Sequence, residues 1–134
     1  MSGQPIDVMT LGETMAVVAP ALPEPLETAT GFRVGAAGAE SNAAQYLAEA
    51  GHAVAWASRV GDDPLGRRLT AELARSGIDL SWVDVDPCTP TGVMFKDPGP
   101  GATRVHYYRS KSAASRMGPE LADERPATIP LRAA

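Results

Sequence analysis

The sequence predicts an α/β fold, the start of a parallel βαβ sheet decorated by a small antiparallel β lid. Three observations predict it. Short apolar strand-like runs alternate with two helical segments. The second helical segment carries its own start and stop signals. Two later strand-like runs flank Pro98-Gly99-Pro100-Gly101, whose residues suit a hairpin turn.

The elements follow in chain order. Residues 6–11 read as a strand ended by Gly12, and residues 15–18 as a second, before Pro20, Pro23 and Pro25 impose a loop. Residues 32–34 return to extended chain, and Gly35-Ala36-Ala37-Gly38 reads as a small-residue loop. A helix is expected over residues 42–50, with Ala43, Leu47 and Ala50 as its apolar stripe and Gly51 as its C′ residue. Residues 54–60 form the next strand, rich in Val and Ala around Trp56.

In the second helix the local signals agree. Asp63 suits the N-cap, Pro64 the first helical position, Leu65, Leu69 and Leu73 the buried face, and Gly77 the end. Residues 82–85 alternate as a strand, and residues 92–96 and 103–108 form the hairpin. Beyond Met117 the pattern fades, and residues 122–134 carry little periodicity.

Composition bounds the rest. A length of 134 residues predicts one domain, yet Leu, Ile, Val and Phe together number only 25, so the core is thinly provisioned. A net charge of −4 is too small to force disorder and argues against a nucleic-acid partner, although residues 104–116 are locally basic. No stretch approaches the ~20 apolar residues that span a bilayer, and Met1-Ser2-Gly3-Gln4-Pro5 lacks the layout of a signal peptide. A cytoplasmic location without membrane partners is expected. Cys88 is the lone cysteine, which leaves no disulfide framework, and it is read as a bystander.

Three stretches could carry chemistry. Residues 34–42, Val-Gly-Ala-Ala-Gly-Ala-Glu-Ser-Asn, bring small residues to a helix start, where free N–H groups favour anions and polyols; a tight turn with a cap is the plainer reading. Gly61-Asp62-Asp63 suggests a metal or a base, but Asp63 already has a capping role. In Arg104-Val105-His106-Tyr107-Tyr108-Arg109, alternation along a strand puts Tyr107 and Arg109 on one face and Tyr108 on the other. An aromatic ring beside a guanidinium suits a small acidic substrate, whereas a solvated basic edge strand is the alternative.

Taken together, these pieces resemble the amino-terminal half of the PfkB, or ribokinase-like, carbohydrate kinases. The carrying residues are Gly12-Glu13, Asn42-x-Ala44 with Gly51, Val60-Gly61-Asp62-Asp63 with Gly66, Gly77-Ile78-Asp79, Pro90-Thr91-Gly92, and Tyr107-Tyr108-Arg109 with Ser112-Ala113. The last group is most similar to the 2-keto-3-deoxygluconate kinases. The resemblance implies an incomplete ribokinase-like fold and transfer of the ATP γ-phosphoryl group to a sugar or sugar acid. It implies substrate contacts at Gly38 and Asn42 for hydroxyls and at Tyr107 and Arg109 for the keto-acid end. It also implies a lid sheet, built from residues 15–18, 32–34 and 93–108, that is able to form a homodimer contact.

The family's Gly-Ala-Gly-Asp motif, which supplies the catalytic base and anion hole, does not occur in the sequence. No catalytic residue is therefore assigned, and the sites for ATP and Mg²⁺ are expected to lie outside this chain. Residues 1–121 are read as the sugar-binding portion of the kinase domain, and residues 122–134 are expected to be an irregular tail at a truncation. Two alternatives remain: a non-catalytic sugar-acid-binding or dimerisation module, and a kinase of the same family for another sugar such as ribose or fructose.

Overall fold

The computed structural model describes residues 5–119 and Leu121, so the expected irregular tail over residues 122–134 lies outside the described residues. Strand β1 (Val8–Leu11) pairs parallel with β4 (Val54–Gly61), which pairs parallel with β5 (Val83–Asp86), giving the order β1-β4-β5. Parallel neighbours on both sides explain why β4 is buried along almost its whole length instead of alternating. Helices α1 (Ala39–Glu49) and α2 (Pro64–Arg75) make the crossovers. The core between them gathers Ala44, Val54, Trp56, Val60, Leu73 and Ile78, and Trp56 donates its indole N–H to the Gly12 carbonyl at 3.2 Å.

The α2 segment follows its local signals. Asp63 caps it by accepting from the Gly66 N–H, Pro64 opens it, and Leu69 and Leu73 are fully buried. The α1 segment departs from expectation twice. It begins at Ala39, not at Asn42, because Gly38 occupies the N-cap without a side-chain hydrogen bond. Its buried face is Ser41 and Ala44, whereas Ala43 and Ala50 of the expected stripe are exposed. With so many alanines, several helical stripes of similar hydropathy exist, and packing against β1 and β4 selects among them.

A second sheet has the order β3-β2-β6-β7, from β2 (Met15–Pro20), β3 (Phe32–Ala37), β6 (Val93–Asp97) and β7 (Arg104–Tyr108). The expected loop at Gly35-Ala36-Ala37 is strand, paired antiparallel with Val17, Ala16 and Met15 of β2. Glycine and alanine are poor strand formers by themselves. Their partner strand and α2 hold them extended: Arg68 donates to the Val34 carbonyl at 2.8 Å, and the Glu72 carboxylate accepts from the Ala36 N–H at 3.3 Å. Two ladders of this sheet are antiparallel, and the β2–β6 ladder is parallel. A parallel pair needs a long connection, and the whole β3–β5 segment lies between these two strands.

Candidate functional site

The two sheets meet where β1 turns into β2 through Gly12, Glu13 and Thr14. Beside this turn opens a cleft of about 680 Å³, lined by Gly12 and Glu13, by Gly38, Glu40 and Asn42 at the start of α1, and by Met94, Lys96, Tyr107 and Arg109 of the lid. All four residues singled out in the sequence, Gly38, Asn42, Tyr107 and Arg109, line this one cleft. Antiparallel register explains the lid side: Met94 opposes Tyr107 and Lys96 opposes Val105, so these four share a face. Tyr108 takes the other face, edge-on to Phe95 with ring centroids 5.6 Å apart.

The α1 side is shaped by close approach. A side chain at Gly38 would press on the Glu13 carbonyl and on the Ser41 and Thr14 hydroxyls, so the backbone itself forms the wall there. The first N–H groups of α1 have no intrahelical acceptor and no side-chain cap, which leaves donors at the cleft. Asn42 adds an exposed amide one turn on.

Arg109 is not a lone cation. Its Nε–H donates to Glu13 Oε2 at 2.7 Å, and Ser112 Oγ donates to Glu13 Oε1 at 2.6 Å. The Glu13 side chain is only 7% exposed while that of Arg109 is 52% exposed, so the carboxylate is the buried anchor and the guanidinium the open partner. Sequence reasoning noticed Glu13 only as part of Gly12-Glu13 and assigned it no contact. No periodicity could have found the pair, because its members stand far apart in the sequence. Lys96 and Glu40 complete the charged lining and were likewise not singled out as contacts.

Gly61-Asp62-Asp63 lies outside the cleft and is used structurally. Asp63 accepts from the Gly66 and Thr91 N–H groups, each at 2.8 Å, and the Thr91 hydroxyl accepts from the Gly61 N–H at 3.0 Å. Burial pushes the Asp63 carboxyl up, but the hydrogen bonds from Thr91, Gly66 and Leu65 together outweigh it and hold the carboxyl below its ordinary value. Asp62 pairs with Arg67 at 2.9 Å on the surface. Among the described residues no group of three or more His, Cys, Asp or Glu is placed to hold a metal ion. The charged lining of the cleft is thus the Glu13–Arg109 pair with Lys96 and Glu40.

The family model described as pfkB family carbohydrate kinase matches residues 5–125. A protein of Thermoproteus tenax named 2-dehydro-3-deoxygluconokinase is 39% identical over 121 residues, covering 88% of this chain and 37% of that protein. Its namesake from Bacillus subtilis (strain 168) is 40% identical over 114 residues, covering 84% of this chain and 35% of that protein. The crystal structure of a PfkB protein from Polaromonas sp. JS666 superposes with a TM-score of 0.84 at 45% identity, covering 90% of this chain and 41% of that one. The chain thus spans little more than a third of the length of these curated relatives.

Proposed function

Because the chain belongs to the pfkB family of carbohydrate kinases, we propose that it forms the sugar-binding portion of a kinase for 2-keto-3-deoxygluconate, also called 2-dehydro-3-deoxygluconate. The observation that carries this reading is the pairing, across one cleft, of an exposed guanidinium and tyrosine on the lid with a glycine-walled helix start opposite. A sugar acid has the same two ends. Its carboxylate suits the terminal N–H groups of Arg109, which form a planar fork. The Tyr107 ring, 58% exposed, offers an apolar flank to the keto-acid end. The hydroxyl end suits the Asn42 amide and the uncapped N–H groups of α1 beside Gly38.

In this reading the chain holds and orients the phosphoryl acceptor. ATP, with a divalent metal, supplies the phosphoryl group in the family's chemistry, and no residue described here is assigned the base. Orientation alone is a large part of such catalysis, since phosphoryl transfer depends on positioning more than on covalent steps by the protein. The names of the two relatives support the choice of sugar acid.

Titration calorimetry of the chain with 2-keto-3-deoxygluconate tests the proposal. Wild type should bind, and Arg109→Ala should lose roughly 1.5–3 kcal/mol, the usual worth of hydrogen bonds to a charged group. No heat from wild type at millimolar ligand would overturn it.

A further inference from the structure

We infer that Glu13 is a positioning residue that sets Arg109 to receive a carboxylate, an inference that rests on the sugar-acid reading of the cleft. An arginine guanidinium has two forked edges, one through Nε and one through its two terminal amino groups, and the bond from Nε to Glu13 Oε2 at 2.7 Å occupies the first. The edge carrying the two terminal amino groups then remains for an incoming carboxylate in the forked geometry. Without Glu13 the half-exposed Arg109 side chain would sample many rotamers, and a ligand would bear the cost of ordering it.

The surroundings of Glu13 are built for this task. Its carboxylate is 7% exposed, so it needs both a cation and a hydrogen bond, and Arg109 and Ser112 supply them. A Cβ at Gly92 would stand 2.6 Å from Glu13 Oε1, so the start of β6 is kept bare where the carboxylate lies. An incidental surface ion pair would require neither feature. Glu13 sits on the turn that leaves the parallel sheet, whereas Arg109 follows the last lid strand, so the bond also registers the lid against the helix start that holds the other end of the ligand.

An anchor that only held the lid would matter equally for any sugar; a residue that aims Arg109 matters for acids. The test compares 2-keto-3-deoxygluconate with 3-deoxyfructose, its neutral counterpart with a hydroxymethyl group in place of the carboxylate. Calorimetry is run on wild type, Glu13→Gln and Ser112→Ala. Glu13→Gln should lower affinity for the acid about ten-fold and leave the neutral sugar unchanged, with Ser112→Ala showing a smaller loss in the same direction. In nitrogen-15 spectra the Arg109 Nε–H should exchange slowly with water in wild type and quickly in Glu13→Gln. An equal loss for both sugars, or an acid affinity unchanged in both variants, would overturn the inference while the sugar-acid reading stood. Wild type that binds neither sugar would overturn that reading and this inference with it. Should Glu13→Gln fail to fold, Ser112→Ala carries the same comparison, because it removes a partner of Glu13 without changing charge.

Discussion

Thr91 closes a knot of hydrogen bonds around one carboxylate. Its N–H and hydroxyl tie Asp63 and Gly61 to the segment entering β6, so a capping residue of α2 also fastens the lid to the parallel sheet. Replacing Asp63 by Ala should therefore cost about 1–2 kcal/mol, at the upper end for an N-cap because a second N–H loses its acceptor too. The pH dependence has a definite sign. The folded carboxyl lies below its ordinary value of 3.8, so its contribution is complete above that value and is lost as pH falls through the lowered one. Thermal midpoints of wild type and Asp63→Ala, measured from pH 7 downwards, should differ constantly near neutrality and converge only in strong acid. A gap that stayed constant into strong acid would contradict the assignment. Asp86 is lowered as well, first by the Thr89 hydroxyl and then by the Cys88 N–H, but it is half-buried and serves its own turn.

Helix α2 was legible because its information is local. Cap, proline, leucine spacing and terminal glycine all act within one turn of the residues they name. Gly77 has φ +77°, the left-handed region, and an added Cβ would meet no atom within 4 Å. Gly77→Ala should thus cost about 1 kcal/mol from backbone conformation alone, read as a shift in urea midpoint with an unchanged slope. A change in slope would point to a wider rearrangement. Strand β3 shows the opposite case. Nothing in Gly35-Ala36-Ala37 prefers extended chain, and only β2 and the side chains of Arg68 and Glu72 make it a strand. The start of α1 differs from expectation for a related reason: Gly38 offers no capping side chain, so nothing local marks the true beginning at Ala39.

For the molecule as a whole, the described fold is a three-stranded parallel sheet joined to a four-stranded lid by the β1–β2 turn, by α1 and by the segment entering β6. Its fully buried side chains include few large ones, chiefly Trp56, Leu69 and Leu73, and Leu11 at the end of β1 is 41% exposed. Such a core buries little apolar surface for its chain length. Scanning calorimetry of the isolated chain should show a low, broad transition whose van't Hoff enthalpy departs from the calorimetric one. A single sharp transition with equal enthalpies would show that the 134 residues stabilise themselves as one cooperative unit. No described helix is long and apolar enough to cross a membrane.

The sequence by itself determined what depends on neighbours along the chain: the alternation that puts Tyr107 and Arg109 on one face, the limits of α2, the βαβ order, and the hairpin. Periodicity and capping are short-range, so they can be read without the fold. Tertiary structure alone decided which alanine stripe of α1 is buried, that β3 continues through its glycine, and that β6 runs parallel to β2. It also decided that Arg109 reaches the cleft already bonded to Glu13. That contact joins residues far apart in the chain, and a buried carboxylate declares its partner only once both sheets have closed around it.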